Sequence, residues 1–148
     1  MNDPLTNLPE MVAACLRRYG SPRRLLIGFS GGADSTALLL ATLASCEVRT
    51  RIEPVHFAHG LRGRAGAADA AWCRRFCAKR GLDCRVVPLA VRTAQRPGES
   101  LEAAARRLRL AAWQDLAGDD ATAAVVLGHH ADDRAENLLL RLLRGANC

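Results

Sequence analysis

Lysine is almost absent from this chain: Lys79 is the only one in 148 residues, and arginine supplies nearly all of the positive charge. A Walker-type P-loop, G-x-x-x-x-G-K-[ST], needs a lysine directly after its last glycine. Lys79 follows an alanine, so the chain has no loop of that type. The excess of Lys and Arg over Asp and Glu, 21 to 15, indicates an anionic partner such as nucleic acid, although GC-rich coding would also enrich arginine.

Long apolar segments are missing as well. The longest apolar tract, Ala37–Cys46, is too short to cross a bilayer. The segment Met1–Gly20 lacks the basic start and apolar stretch of a secretory signal. We therefore expect a cytoplasmic protein with no membrane partner. Aromatic residues make up only 4% of the chain, so alanine, leucine and valine must build the core.

The six cysteines lack the paired C-x-x-C spacing that is typical of zinc and iron–sulfur sites. Cys73 and Cys77 are four residues apart on a predicted helix and could share a face. The spacing is compatible with small thiols packed in the core and with a metal or redox site. Packing is the commoner role of a free cysteine, and we expect it here.

Short apolar runs alternate with helical patterns along the chain, whose length suits one domain. Such continuous apolar runs are typical of strands buried on both faces, so we predict an α/β fold, a parallel sheet with helices on both faces. Pro54 cannot donate to a ladder and indicates a strand edge or a late start. The predicted strands are Arg24–Phe29, Arg51–Phe57, Asp83–Leu89 and Thr122–Gly128. The predicted helices are Pro9–Tyr19, Asp34–Ser45, Ala67–Arg80, a helix capped by Ser100 that runs to Leu116, and Ala131–Arg144.

Ligands of such sheets lie at the carboxyl ends of the strands, and "SGGADS" follows the first strand. Gly31 and Gly32 allow a sharp turn and a close approach to a ligand, while Ser30 and Ser35 offer hydroxyls. The following helix points free N–H groups at the loop, which suits an anion of the size of pyrophosphate. Asp34 could simply charge or cap the first helical turn, or it could hold a divalent cation that bridges phosphates.

A second polar cluster, "GHHADDRAEN", follows the fourth strand. His129, His130, Asp132 and Asp133 could be loop and helix-start residues without a further role. Four ionisable groups in five residues at the productive end of a parallel strand favour a metal or nucleotide site. Glu136 lies one helical turn further on and could line the same face.

The segment after the second strand, "VHFAHGLRGRAG", carries His56, His59, Arg62 and Arg64. It is either a mobile basic loop or a substrate-facing segment that touches nucleotide or RNA phosphate.

The helix "SLEAAARRLRL" contributes a pair of arginines. Arg106 and Arg109 are three residues apart and share a face, whereas Arg107 points elsewhere and is expected to be solvated.

Taken together, the four motifs resemble, in order and spacing, the N-type ATP pyrophosphatase (PP-loop) superfamily and, within it, the tRNA(Ile)-lysidine synthase family. That family carries S-G-G-x-D-S, V-H-x-x-H-G-L-R, S-x-E-A-x-A-R-x-x-R-Y and G-H-x-x-D-D-x-x-E-T. The resemblance runs from about Arg23 to Gly145, with Leu110 and Asn137 in place of the family's Tyr and Thr. The related tRNA thiolases typically carry paired C-x-x-C ligands and commonly Lys where Ala33 stands here, so that alternative is the weaker one.

The resemblance implies a Rossmann-like PP-loop fold and an enzyme that uses ATP and Mg²⁺. It implies adenylation of the wobble cytidine in the CAU anticodon of tRNA(Ile), followed by attack of free lysine to form lysidine. It also implies the site residues. The ATP-binding set is Ser30, Gly31, Gly32, Ala33, Asp34 and Ser35. The catalytic set is Asp34, Arg109, His130 and Asp133, of which Asp34 and Asp133 are metal ligands. The set that faces substrate or tRNA is His56, His59, Arg62, Arg64 and Arg106.

Members of the family continue past this point into C-terminal domains that help to hold tRNA. The chain stops at "LLRGANC", so we expect residues 1–148 to be a PP-loop domain without tRNA-binding domains, from a truncated or frameshifted product or a fragment. Such a chain is expected to bind ATP better than tRNA. A non-catalytic nucleotide-binding module is a further hypothesis.

Overall fold

The strands form a parallel sheet in the order β3-β2-β1-β4. The computed structural model describes residues 7–46, 49–60 and 63–128. Each pairing in this sheet is parallel, which confirms the predicted fold class. The strands are β1 Arg24–Gly28, β2 Arg51–Ala58, β3 Arg85–Pro88 and β4 Ala123–Val126.

Helices connect the strands and cover both faces of the sheet. They are α1 Leu8–Arg18, α2 Ala33–Ser45, α3 Arg64–Ala78, α4 Val91–Ala94 and α5 Leu101–Ala117. The short α4 lies in a segment for which no helix was predicted. Ser100 caps α5 as predicted, because its hydroxyl oxygen accepts a hydrogen bond of 3.1 Å from the Ala103 N–H. The predicted helix Ala131–Arg144 lies outside the described residues. Within the described ranges, no helix combines the length and the apolar character that a membrane span requires.

Adjacent side chains of β1 point into two separate cores. Leu25 and Ile27 pack with α1, α2 and α3 on one face, and Leu26 packs with Trp113 of α5 on the other. Leu25, Leu26 and Ile27 are each 0% exposed, which explains why the run is apolar at every position instead of alternating.

Three cysteines belong to the core on the α1–α3 face: Cys73, Cys77 and Cys84 are buried there. Burial raises the pKa of the Cys73 thiol to about 11 and that of Cys84 to about 12. Thiols with such pKa values stay protonated at neutral pH and are poor nucleophiles and metal ligands. They therefore act as small apolar residues that fill the space between α3 and the sheet.

Pro54 lies inside β2, at a position where a missing N–H costs little. Alternate residues of a strand direct their backbone groups to opposite neighbours. The Arg51 N–H and the Val55 carbonyl both bond to the β1 side, so Pro54 faces the β3 side. Pairing with β3 begins only at Val55, opposite Arg85. β2 is thus an inner strand with a local free edge at Pro54. The strand begins at Arg51, so the alternative prediction of a late strand start is wrong.

A buried carboxylate holds the amino end of the sheet together. Glu53 is 7% exposed and accepts hydrogen bonds from Nε of Arg24 at 2.7 Å and from its Nη2 at 3.1 Å. Nε of Arg51 lies 2.9 Å from the same carboxylate. The hydrogen bonding of Arg24 is the main cause that lowers the pKa of Glu53 below its ordinary value.

We expect Glu53→Ala to lower the free energy of unfolding at pH 7 by about 2 kcal/mol, because Arg24 would keep its charge in a largely buried place with only the longer contact to Asp120, at 3.8 Å, to offset it. Since the folded-state pKa is depressed, the stabilisation is present above the ordinary carboxyl pKa. It is lost as the pH falls through the lower, folded-state value. Urea unfolding of wild type and variant at neutral and acidic pH measures both effects.

Glu10→Ala is the matched control, since it removes an exposed carboxylate from α1 and should cost less than about 1 kcal/mol. Equal losses in the two variants would contradict a stabilising role for the Glu53 ion pairs.

Candidate active site

The loop between β1 and α2 is closed by hydrogen bonds among its own residues. The Ser35 hydroxyl donates to the Gly32 carbonyl at 3.1 Å, and the Gly32 N–H donates to the Ser30 hydroxyl oxygen at 3.3 Å. The two serine oxygens are 3.1 Å apart. The loop therefore presents paired hydroxyls beside the amino end of α2, an arrangement suited to an anion.

Gly31 brings this loop into direct contact with α3. Its φ is +85°, in the region that favours glycine. A Cβ atom placed on Gly31 would lie 3.2 Å from Sγ of Cys73 and 3.2 Å from ring carbons of Trp72. Glycine is required here both for the turn and for the space, and the position of the loop depends on α3.

Asp34 lies in the first turn of α2, and the N-cap of that helix is Gly32. Of its two predicted structural roles, compensation of the helix dipole fits this position and capping does not. The residues that follow β4 also lie next to Asp34, since a Cβ on Gly128 would be 3.4 Å from the Asp34 carbonyl oxygen. The predicted cluster that begins after Gly128, including His130 and Asp133, lies outside the described residues.

A cavity of about 840 Å³ opens at the carboxyl ends of the strands. Its size is within the range of small-molecule sites. It brings together predicted site residues from three separate segments of the chain. They are Ser30, Ser35, His56, His59, Arg106 and Arg109.

Other predicted site residues are near this cavity without lining it. Gly31, Gly32, Ala33 and Asp34 form the loop and the helix start next to it. Arg64 is the exposed first residue of α3 and is not part of the lining. Arg62 lies outside the described residues.

His56 connects the end of β2 to the end of β1. Its Nδ1 lies 3.0 Å from the Phe29 carbonyl oxygen and 3.4 Å from Sγ of Cys73. A carbonyl only accepts, so Nδ1 carries a proton and donates it to Phe29. His56 is therefore a fixed, buried side chain, and Nε2 is the ring nitrogen left for a further contact.

His59 differs from His56, because its buried Nδ1 has no hydrogen-bond partner in the described part of the chain. Burial, followed by the charges of Arg109 and His56, lowers the pKa of His59. The ring is neutral at pH 7, and its unpaired nitrogen is available to a bound ligand.

Arg107 was predicted to be solvated, and this prediction is wrong. Its Nε and Nη2 donate to the two carboxylate oxygens of Glu99 at 2.9 and 2.7 Å, and Nη2 also donates to the Ala94 carbonyl at 2.9 Å. The Arg107 hydrogen bonds, and then that of the Arg96 N–H, lower the pKa of Glu99 to about 2. Arg107 thus fastens α5 to the α4–α5 loop, which orients Arg106 and Arg109 on the other face.

Sequence reasoning missed part of the lining. Asp69 of α3 and the apolar side chains Phe57 and Trp113 all face the cavity. The two aromatic rings make an edge-to-face contact, with centroids 4.8 Å apart. The one available sequence signal was the spacing of Asp69, one helical turn before Cys73. The aromatic contact joins β2 to α5, and no local pattern in the sequence predicts it.

The PP-loop domain family matches residues 5–148 of this chain. The chain therefore belongs to the PP-loop family, as its motifs indicated.

Curated relatives carry a more particular name, tRNA(Ile)-lysidine synthase. The chain is 46% identical to that of Polaromonas naphthalenivorans over 99% of its own length, 43% to that of Alkalilimnicola ehrlichii over 93%, and 40% to that of Pseudomonas fluorescens over 99%. It covers 42%, 30% and 32% of those proteins, respectively. The chain thus spans about a third of the length of the curated relatives it matches.

Two solved structures share the fold at low sequence identity. An NH3-dependent NAD synthetase from Campylobacter jejuni gives a TM-score of 0.63 at 12% identity, over 88% of this chain and 57% of that one. An NAD+ synthetase from Burkholderia pseudomallei gives 0.55 at 19% identity, over 94% and 66%. These similarities concern the architecture alone.

We expect Gly31→Ala to destabilise the protein more than Gly20→Ala does. Both glycines have positive φ, +85° and +89°, so alanine at either costs about 1 kcal/mol in backbone strain. At Gly31 the added methyl group would also crowd Cys73 and Trp72, whereas nothing lies within 4 Å of a Cβ on Gly20. We expect the contact to add about 1 kcal/mol, measured by urea unfolding of both variants. Equal losses would show that α3 does not support the loop.

Proposed function

We propose that this chain provides the ATP-binding, adenylating domain of a tRNA(Ile)-lysidine synthase. The observation that carries the proposal is the single cavity that combines the loop serines, two histidines and two arginines at the carboxyl edge of a parallel sheet. Membership of the PP-loop family and the names of the relatives support it. We propose residues 1–148 as one PP-loop domain, in the cytoplasm where tRNA and ATP meet.

The proposed reaction has two steps. The C2 oxygen of the wobble cytidine of tRNA(Ile), in its CAU anticodon, attacks the α-phosphorus of ATP. The bond between Pα and the bridging oxygen breaks, and pyrophosphate leaves. The ε-amine of free lysine then bonds to C2 and releases a proton, while the C2–O bond breaks and AMP leaves with that oxygen. The product is lysidine, which pairs with A instead of G.

Ser30 and Ser35 are proposed to hold phosphate oxygens together with the N–H groups at the start of α2. Arg109 is the proposed partner of the adenylated intermediate's phosphate. It lines the cavity and forms no ion pair within the described ranges, so its charge is available to a ligand. Arg106, His56, His59, Arg62 and Arg64 are proposed to face the substrate or the tRNA.

The apolar side of the cavity suits a planar base. Phe57, Trp113 and Leu127 line it and pack together in one apolar cluster. An aromatic surface with few polar groups favours a nucleobase over a phosphate, so we propose that the phosphates lie on the serine side and a base on this side.

Asp34 and Asp133 are the proposed ligands of Mg²⁺. Carboxylate oxygens are the donors that this ion prefers, usually one or two of them together with substrate phosphates. Asp34 fits that description in chemical type and in its place beside the anion-binding loop. When bound, the ion would neutralise negative charge on the departing pyrophosphate.

The decisive test is a tRNA-dependent exchange of pyrophosphate into ATP, followed by mass analysis of the tRNA nucleosides. The proposal predicts exchange with tRNA(Ile) and a nucleoside that gains lysine. A nucleoside that gains sulfur would support a thiolase, and ATP binding without exchange would support a non-catalytic module. Either result would overturn the proposed reaction.

We expect Arg109→Ala to reduce the exchange rate by about 100-fold, because one donor to developing phosphate charge is removed. Arg17→Ala is the matched control. It removes an exposed arginine from the last turn of α1, the end that leads to the amino end of β1, opposite the cavity. An unchanged rate in the Arg109 variant would remove that residue from the catalytic set.

We expect Asp34→Ala to weaken Mg²⁺-dependent binding of ATP at least about 10-fold, in line with the loss of a metal-orienting group. Calorimetry with and without Mg²⁺ measures this. Asp133→Ala should act in the same way, and His130→Ala should slow the exchange. Unchanged Mg-ATP affinity together with unchanged turnover in the Asp34 variant would reject the assignment.

A further inference from the structure

An exposed aromatic ring lies on the outer side of α3, and it is not part of the cavity lining. Trp72 is 40% exposed, although carbons of its ring would be only 3.2 Å from a Cβ on Gly31 of the loop. Its ring stacks on that of Phe76, with centroids 5.0 Å apart, and Cζ of Arg80 lies 3.6 Å from the Phe76 centroid. Two aromatic rings and a cation therefore form a column that starts beside the loop between β1 and α2.

The column belongs to one face of α3 and its last turn, which we call the α3 outer face. Its members follow the i, i+3, i+4, i+7, i+8 spacing of a single helix face. They are Trp72, Arg75, Phe76, Lys79 and Arg80. The buried residues Cys73 and Cys77 lie on the side that packs in the core. At a rise of 1.5 Å per residue, the α3 outer face is about 12 Å long.

The charged side chains of this segment all have the same sign. From residue 70 to residue 82 every charged residue is basic and exposed: Arg74, Arg75, Lys79 and Arg80. The nearest carboxylates along the chain are Asp69 and Asp83, outside that range. Clustered positive charge of this kind attracts a polyanion, and the backbone of a nucleic acid carries negative charge at short, regular intervals. The α3 outer face therefore complements a phosphate backbone in charge.

We propose that the α3 outer face binds a single-stranded segment of RNA, with a base stacked on Trp72 and phosphates beside Arg75 and Lys79. Unpaired bases are recognised by stacking on aromatic side chains, and their backbone by neighbouring cations. An acidic protein segment would match the cations but would offer no planar base to the ring. The choice of RNA over DNA rests on the proposed function, in which the substrate is a tRNA.

The place of this face explains what it adds to the cavity. Trp72 contacts the loop whose serines Ser30 and Ser35 line the cavity. A strand whose reacting base occupies the cavity therefore continues past the loop and along α3. On this account the α3 outer face holds nucleotides next to the reacting one and makes no contact with ATP or lysine.

The test is fluorescence anisotropy of a labelled RNA hairpin with a single-stranded loop, titrated with the 148-residue chain at several salt concentrations. We expect Trp72→Leu to weaken binding at least about 5-fold, in line with the loss of one base–aromatic stack, and to leave the salt dependence unchanged. The double variant Arg75→Gln/Lys79→Gln should instead reduce the slope of log K against log salt by about 1.4, because each phosphate contact of a single strand contributes about 0.7.

Arg17→Gln/Arg18→Gln is the matched control. It makes the same change in net charge at two exposed arginines in the last turn of α1, and it should change the affinity less than twofold. Thermal unfolding checks that each variant is folded. A second measurement leaves the Trp72 ring in place: in Trp113→Phe, Trp72 is the only tryptophan, and the hairpin should quench its fluorescence.

Equal hairpin affinity in wild type and Trp72→Leu, or unquenched Trp72 fluorescence, would overturn the stacking site. Equal changes of slope in the α3 and α1 double variants would show diffuse attraction in place of a defined surface. Tighter binding of polyglutamate or of phosphatidylserine vesicles than of the hairpin would overturn RNA as the occupant. Absence of tRNA-dependent pyrophosphate exchange would instead refute the proposed function alone, since the hairpin titration needs neither ATP nor lysine and would still decide the surface.

Discussion

A hydrogen bond of 3.0 Å between Nδ1 of His56 and the Phe29 carbonyl oxygen lies at the point where the loop leaves the sheet. It joins the end of β1 to β2 through two residues that are 27 positions apart along the chain. Two residues further along the loop, Gly31 packs closely against Cys73 and Trp72 of α3. The position of the serine hydroxyls therefore depends on contacts from β2 and α3 as well as on the loop itself. These contacts also determine the shape of the cavity, because residues of β2, α3 and the loop line it.

The two ends of the sheet differ in how their charges are used. At the amino end, Glu53 and Arg24 neutralise each other in a buried ion pair, and on the edge of α5 Arg107 is bound to Glu99. These charges stabilise the fold and are not available to a ligand. In the cavity, Arg109 and Asp69 have no such partners among the described residues, and burial keeps His59 neutral. Two charged side chains that have no ion-pair partner in the described ranges thus line the cavity at the carboxyl edge, which is where a parallel sheet binds its ligands.

Much of the architecture was predictable because it depends on local pattern. The apolar run at β1 indicated a strand buried on both faces, and Ser100 indicated the start of α5. The pairing of Arg106 and Arg109 on one face followed from helical spacing. The predictions failed where a distant residue decides the outcome. The prediction that Arg107 is solvated failed because its partner, Glu99, precedes the helix and reaches Arg107 only through the path of the α4–α5 loop. Pro54 could not be interpreted without knowing where β3 begins.

The motifs determined, before any coordinates, which chemistry the chain offers: an anion-binding loop with an aspartate, a basic helix face and polar residues after the strands. Side-chain types and their spacing carry that information, since a glycine turn or a helical repeat acts over a few residues. Only the tertiary structure decided that burial and Arg109 lower the pKa of His59, that Gly31 is confined by α3, and that Asp69 shares a cavity with the loop serines. These properties arise from burial and from distances between segments far apart in the chain, and no local pattern records either of them.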